Sequence, residues 1–406
     1  MRILHTSDWH LGQHFMGKTR QAEHRAWCDW LVQTVQDQQA DALIIAGDIF
    51  DTGTPPSYAR EQYNDFIVQM HGTGCQLVIV AGNHDSVAML NESKGLLGKL
   101  NTQVIATVGA EPDEQVLLLT QRNGDVGAIV CAIPFLRPRD IQRSQAGQSA
   151  DDKQSDLQQA IAEHYAQLYA RAEAKRAELG VKVPIIGTGH LTTVGVSLTE
   201  SVREIYVGSL TAFPTDAFPA FDYLALGHIH RPQKVAGLEH IRYSGSPIAL
   251  SFDESKQQKE LLQIDLDSTG LQSVQVIEIP CFQRLISLKG SLAELEQQFA
   301  ALAGELDPTA VAWLEIQVEV DDYYADLDER VTALCAELPV EVLRVRRLRG
   351  NKVAGLTGDS GEVLAELSPN EVFAKRLENE ELSTDEVKVL TGLHGQVLEA
   401  LQETDL

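Results

Sequence analysis

Ten residues in five short motifs carry side chains that could do chemistry together. The motifs are Asp8-Trp9-His10, Gly47-Asp48-Ile49-Phe50-Asp51, Gly82-Asn83-His84-Asp85, Gly189-His190 and Gly227-His228-Ile229-His230. They supply carboxylate, amide and imidazole groups and no thiolate. Such a donor set suits Mn²⁺, Mg²⁺, Fe²⁺ or Zn²⁺ rather than a soft metal. A pair of metals needs a shared ligand. A carboxylate with two oxygens can bridge, whereas an imidazole ordinarily cannot. Asp48 follows a fully apolar run and is the natural bridge. Two ions about 3.5–4 Å apart can clamp a phosphate ester and activate a water for in-line attack. If Asn83 binds a metal, its neighbour His84 can face the substrate, to stabilise charge or protonate the leaving oxygen.

A second signature overlaps the first motif. Gly12 to Thr19 fits G-x-x-x-x-G-K-[ST], the pattern of a phosphate-cradling nucleotide loop. The two signatures point to different enzymes. The cradle reading leaves Asn83, His84, His190, His228 and His230 idle. It also places the bulky His14-Phe15-Met16 where backbone amides should face phosphate. The metal constellation is therefore the preferred site, with Lys18 and Arg20 as solubilising or backbone-contacting charge.

The elements that must position these residues alternate through the first 280 residues. RILHTS, ALIIAG (42–47), LVIVAG (77–82), GAIVCAI (127–133), PIIGTG (184–189) and YLALGH (223–228) read as buried strands. Several end in Gly followed by a polar residue, so functional loops follow strand ends, as in α/β domains. Ala22, Ala26, Trp27, Trp30, Leu31 and Val35 recur at helical spacing and predict a helix over 20–38. Tyr58, Tyr63, Phe66, Ile67 and Met70 predict another after Pro55-Pro56. Residues 140–182 are polar and rich in Gln and Ala. They read as an insertion: a loop, then a long, mostly exposed helix over 154–179. After Pro280 the pattern is β-α-β-α-β, a compact second domain. Residues 359–406 are strongly acidic and read as two helices, the last striped by Leu390, Leu393, Val397 and Leu401. A terminal amphipathic helix of this kind can dock on a partner.

The 406 residues exceed one ordinary domain, and the 44% hydrophobic content is ample for a buried core. No segment approaches the roughly 18 apolar residues of a membrane helix, and MRILHTSDWH is not patterned as a signal peptide. The five cysteines (Cys28, Cys75, Cys131, Cys281 and Cys335) are scattered without a C-x-x-C pair. They read as free thiols in a reducing cytoplasm. A net charge of −25 lacks the basic face by which nucleic-acid-binding proteins usually release counterions. Either nucleic acid is not bound, or metal ions and a partner supply the positive charge. The densest basic run is Arg344, Arg346, Arg347, Arg349 and Lys352, which reads as a nucleic-acid contact or as a solvated face. The remaining histidines, His5, His14, His24, His71, His164, His240 and His394, read as surface or packing residues.

The order D-x-H, GD-x-x-D, GNHD, GH, GH-x-H resembles the calcineurin-like metallophosphoesterase family. HTSDWHLG, GDIFDTGTPP, AGNHDS and LGHIHRPQ resemble in particular its bacterial DNA-nuclease members, and the likeness spans the whole chain. The resemblance implies an α/β fold in which a β-sandwich is flanked by helices (α/β/β/α) over residues 1–279. It adds a small α+β capping domain over 280–350 and a helical tail over 351–406 that docks on an ATPase partner. By position, it places one metal on Asp8, His10, Asp48 and His230, and a second on Asp48, Asn83, His190 and His228. His84 becomes the catalytic histidine, oriented by Asp85. Many relatives carry His where this chain has Asp51, so Asp51 is given a supporting role only. The implied activity is Mn²⁺-dependent DNA hydrolysis in repair, recombination and replication. Duplex ends would be degraded 3′→5′, and single strands and hairpins cut internally, by a dimer working with a coiled-coil ATPase in a heterotetramer. Two alternatives share the fold: a phosphatase or small-nucleotide phosphodiesterase, and a scaffold that has lost catalysis.

Overall fold

A computed structural model describes residues 1–109, 112–141, 150–202, 212–320, 327–336 and 338–349, with single positions at 373, 377, 390, 391, 393 and 394. The chain divides into two compact units, Met1–Arg349 and Gly350–Leu406. The acidic tail expected over 359–406 therefore falls almost wholly outside the described residues. Within the second unit, the rings of Phe373 and His394 stack with centroids 4.0 Å apart.

The apolar runs of the first unit form two six-stranded sheets. In the first sheet Arg2–Thr6, Ala42–Ala46, Gln76–Val80 and Thr102–Ile105 run parallel, and Glu260–Asp267 and Gly270–Glu278 close one edge antiparallel. In the second, Val126–Cys131, Ile185–His190, Tyr223–Gly227 and Leu238–Tyr243 run parallel. Successive side chains point to opposite faces of a strand. Ile3, Ala42, Ile44, Ala46, Val78 and Val80 accordingly meet Ala128, Val130, Ala132, Ile186 and Ala225 between the sheets. Leu4, Leu43, Ile45, Leu77 and Ile79 face the helices Gln21–Asp37 and Ser57–Thr73 instead. The Trp, Tyr and Phe residues of those helices are core, with Trp9 edge-on to Trp27 and Phe66 at 5.8 and 4.9 Å. The α/β/β/α layering places the C-terminal ends of five parallel strands along one rim.

One expectation is overturned. The helix Ala150–Leu179 is not a mostly exposed appendage. Leu157, Ile161, Tyr165, Leu168 and Ala172 are buried at spacings of three and four, and pack on the outer face of the second sheet. A sheet with apolar residues on both faces must be covered on both, and this helix is the cover. Leu168→Ala should therefore cost about 2–5 kcal/mol in a urea titration; a solvated helix would lose almost nothing.

The segment Leu285–Arg349 forms a separate three-stranded sheet of parallel strands, Leu285–Gly290, Ala312–Val320 and Val340–Arg349, with the helices Leu292–Leu302 and Leu327–Cys335. It has its own core around Leu295, Phe299, Leu314 and Ile316. A capping box from Ser291 and Glu294 starts its first helix. In the basic run, Arg344 pairs with the buried Glu315 at 2.5 Å and lies over Phe252. Arg346 and Arg347 are exposed. Lys352 and the side chain of Arg349 lie outside the described residues.

The nucleotide-loop match is a β-hairpin. His14–Phe15 pairs with Lys18–Thr19 around Met16-Gly17, and no helix starts at Lys18. Phe15 is buried against Phe252, Leu285, Trp313 and Leu343, stacked on Trp313 at 5.8 Å. Lys18 pairs with Glu341 at 2.5 Å. Phe15, one of the bulky residues that made a poor cradle, thus joins the metal-motif loop to the small sheet.

Candidate metal centre

Each motif begins where a strand ends, and several break the ordinary backbone rules. Asp8, His10, Asp48 and His228 all have positive φ, at 55°, 48°, 50° and 93°. Non-glycine residues adopt this region at a cost, and it recurs at functional sites where the surroundings enforce it. Here Trp9, fully buried between Asp8 and His10, anchors the first loop among the aromatic residues of the helices. The N–H groups of Trp9 and His10 both donate to the Asp48 carbonyl, at 2.8 and 3.1 Å. Two glycines allow close approach. A Cβ on Gly47 (φ 96°) would strike the His190 ring, and one on Gly82 the Asp48 carboxylate.

Three overlapping clusters of donor atoms result: Asp8, His10 and His230; His10, Asp48 and His84; and Asp48, His190 and His228. Within each, the donor atoms lie within 4.8 Å of one another. His190 Nε2 is 3.0 Å from Asn83 Oδ1 and 3.1 Å from Asp48 Oδ2, and His10 Nε2 is 3.7 Å from Asp48 Oδ2. All seven expected ligand residues, Asp8, His10, Asp48, Asn83, His190, His228 and His230, are thus brought to one rim. Asp48 sits at the overlap of two of the clusters.

The hydrogen bonds indicate what the rings are prepared to hold. His190 Nδ1 faces the Ala46 carbonyl at 2.9 Å, His84 Nδ1 the Asp51 carbonyl at 2.7 Å, and His10 Nδ1 the Asp51 carboxylate at 3.2 Å. Each partner can only accept, so each Nδ1 carries a proton and Nε2 is the ring nitrogen left for a metal or a substrate; at His190 the Nε2 also faces two acceptors, so there a metal would take the place of a proton. His10 Nε2 and His228 Nε2 are buried and have no hydrogen-bond partner among the described residues. Buried polar atoms are seldom left unpaired. Orphaned imidazole nitrogens beside buried carboxylates, at His10 with the opposite nitrogen tied down by Asp51, fit divalent metal ions.

The electrostatics agree. Burial works to raise the Asp48 carboxyl, but His190, His84 and His10 outweigh it and hold it well below the usual carboxylate range. Burial works to lower His190, and the Asp48 charge prevails, pushing it up to about 9. For His228, burial and the neighbouring His190 push the ring well below its ordinary value. Each shift reports unlike and like charges crowded into a dry space.

Asp85, expected to orient His84, does so without holding its Nδ1, which faces the Asp51 carbonyl. Its carboxylate accepts from the N–H groups of Gly82, Ile49 and Phe50, at 2.8, 3.2 and 3.0 Å. Burial and the charge of Asp48 raise it to about 6. Asp85 ties the loop of Asp48 to that of His84, and its effect on the imidazole passes through the backbone. The acceptors at Nδ1 of the His84 and His10 rings both belong to Asp51. Sequence reasoning also missed Ser7, Ser201, Glu254 and Lys259. Ser7 Oγ donates to Asp8 at 2.5 Å, and Glu254 is fully buried beside Lys259 at 2.6 Å. Nothing in SFDESKQQKE (251–260) distinguishes Glu254 and Lys259 from a solvated loop; their burial is a tertiary fact.

A family model of calcineurin-like phosphoesterases matches residues 1–232. A model described as the type 5 capsule protein repressor C-terminal domain matches residues 281–381. The chain is 49% identical over 401 residues to the D component of the SbcCD nuclease of Escherichia coli (strain K12), covering 99% of this chain and 98% of that one. It is 35% identical over 275 residues to the protein of the same name in Rhodobacter capsulatus, covering 66% of each. A Bacillus subtilis protein of that name is 28% identical over 326 residues, covering 79% of this chain and 80% of its own length. The chain belongs to the calcineurin-like phosphoesterase family, in the group of the D components of SbcCD nucleases.

Proposed function

We propose that the chain is a two-metal DNA phosphodiesterase. It acts as a 3′→5′ exonuclease on duplex ends and an endonuclease on single strands and hairpins, in DNA end processing, repair and recombination. The observation that carries the reading is the overlap of three donor clusters at Asp48 and His10, with His84 beside them. One ion would be held by Asp8, His10, Asp48 and His230, the other by Asp48, Asn83, His190 and His228. When bound, such ions polarise a phosphate and lower the pKa of a bound water; Mn²⁺ is the ion proposed.

The chain's own residues do the rest. The Asp51 carbonyl holds the Nδ1 N–H of His84, so that in the imidazolium form the second N–H, at Nε2, would meet the leaving oxygen and supply its proton. The Asp48 carboxylate also accepts from the His84 N–H, at 2.9 Å, so the acid and the bridge keep a fixed spacing. Asp85 holds their two loops together. The net charge of −25 then has an account: the metals attract the scissile phosphate locally, and a coiled-coil ATPase of the SbcC type carries the basic groove. In this reading the chain works in the cytoplasm as a dimer within a heterotetramer. Residues 280–350 cap the nuclease domain of 1–279, and the tail of 351–406 docks on the ATPase.

The test is cleavage of end-labelled linear duplex and of a single-stranded hairpin. The chain alone is compared with the chain plus SbcC and ATP, in Mn²⁺, in Mg²⁺ and in EDTA. Cutting in Mn²⁺ that stops in EDTA is the expected result. Bound metal without DNA cleavage would favour a phosphatase or small-nucleotide phosphodiesterase, and no bound metal a scaffold. Lys18→Ala should keep activity within about two-fold. Its ion pair with Glu341 is roughly 40% exposed on both sides, and such pairs contribute about 1 kcal/mol at most. Loss of cutting in this variant would revive the nucleotide-loop reading.

A further inference from the structure

We infer that Ser201 and Glu254, braced by Lys259, are positioning residues that fix the tautomer and aim of His230. The inference rests on the metal-site reading above and goes beyond its ligands.

Directions of donation decide the tautomer. Ser201 Oγ lies 2.5 Å from His230 Nδ1 and donates its own hydrogen to Glu254 Oε1. A hydroxyl has one hydrogen. Having given it to the carboxylate, Ser201 can only accept from the imidazole, so His230 Nδ1 carries the proton. The lone pair is then left on Nε2, the remaining ring nitrogen of a residue clustered with Asp8 and His10. Glu254 Oε1 is itself 3.7 Å from His230 Nδ1. At His10 and His190 a carboxylate or a carbonyl accepts from Nδ1 directly. At His230 a serine stands between ring and carboxylate.

The carboxylate end of this relay is built to stay ionised. Glu254 is fully buried, and its Oε2 accepts from Lys259 Nζ at 2.6 Å, Leu250 N at 3.1 Å and Ser246 Oγ at 3.3 Å. Lys259 Nζ also donates to the His230 carbonyl at 3.3 Å and to Ser246 Oγ at 3.0 Å. The Ser246 N–H donates to the same carbonyl at 3.1 Å. His230 is therefore gripped at its ring by Ser201 and at its backbone by Lys259 and Ser246, and Glu254 joins the two grips. A buried ion pair is a poor source of net stability. It is a good means of holding a negative oxygen at one point, and that point serves the ring. Outer partners of metal-bound histidines typically carry about 10–100-fold in metal affinity.

The experiment counts bound Mn²⁺ on the full chain by the electron paramagnetic resonance of the free ion, and follows thermal unfolding in EDTA. Ser201→Ala should weaken one of two Mn²⁺ sites at least about ten-fold and leave the other unchanged. Ser201→Thr, which restores a hydroxyl, should recover most of that affinity, and unfolding in EDTA should match the parent in both. Glu254→Gln should weaken the same site, and Ser201→Ala keeps the test open if burying Lys259 unpaired prevents that variant from folding. His230→Ala is the control for the underlying reading. Two Mn²⁺ retained by His230→Ala would overturn the metal assignment and the inference with it. One site lost in His230→Ala, with parental affinities in Ser201→Ala, would overturn the relay alone. Equal weakening of both sites, or lost affinity that Thr does not restore, would mark Ser201 as merely structural and also overturn the relay.

Discussion

His84→Gln should lower DNA hydrolysis by about 10²–10⁴-fold, the range attributed to a positioned acid or base, with both Mn²⁺ still bound. Four of the five motif histidines, His10, His190, His228 and His230, are almost completely buried. His84 is the exception and is half-buried. Its ring packs edge-on against His10 with centroids 4.7 Å apart, and its Nδ1 is committed to the Asp51 carbonyl. That leaves Nε2 as the ring atom to face a substrate. The geometry also permits a rival role, because His84 clusters with His10 and Asp48 closely enough to be a ligand. Gln separates the two. Its amide can still donate a hydrogen bond near Asp51, but it has no proton to give at neutral pH. A general acid predicts lost turnover with two Mn²⁺ still counted; a ligand predicts lost turnover with one Mn²⁺ missing. Activity close to the parent would remove His84 from the mechanism altogether.

The legibility of this fold in the sequence depended on what each residue had to signal. The strands were readable because apolar runs such as ALIIA and QLVIV stop at a Gly-polar junction, and that junction is where a loop must leave a sheet. The candidate ligands were readable for a chemical reason: few constellations of Asp, Asn and His after strand ends serve any purpose but metal binding. The helix Ala150–Leu179 was misread because its apolar stripe is narrow. Leu157, Ile161, Tyr165, Leu168 and Ala172 are diluted by Gln, Ala and Glu, so composition outweighed spacing. The support for the site was not readable at all. Asp85 was assigned to orient His84, but not by what means: its carboxylate turns to the backbone of residues 49, 50 and 82. Ser201 and Glu254 lie far from the motifs in sequence and meet His230 only because the sandwich brings three loops to one rim. Phe15 settled the nucleotide-loop question in the opposite sense, since a buried aromatic at that position needs an apolar partner, and Trp313 supplies it.

Asp48→Asn should abolish metal-dependent stabilisation as well as catalysis, and the first loss is the more informative. In the parent, Mn²⁺ that binds only the folded chain adds RT ln(1 + [L]/Kd), about 2.7 kcal/mol per site at a hundred-fold excess over Kd. The unfolding midpoint should therefore rise on adding Mn²⁺ and fall back in EDTA. Asp48 is 1% exposed and sits within reach of His10, His84 and His190. It is the residue that joins the two candidate ion positions. Asn keeps the shape but offers a single neutral oxygen, which cannot serve two cations. The expected loss of Mn²⁺ affinity exceeds the roughly 10–100-fold that outer partners carry, and it should appear at both sites together. His228→Ala provides the contrast. Among the described residues His228 clusters only with Asp48 and His190, so this variant should lose one Mn²⁺ and part of the thermal shift. If Asp48→Asn instead lost one ion and kept the other at parental affinity, Asp48 would be a ligand of a single metal. The shared carboxylate, and with it the two-metal reaction, would have to be given up, even though every other ligand stood in place.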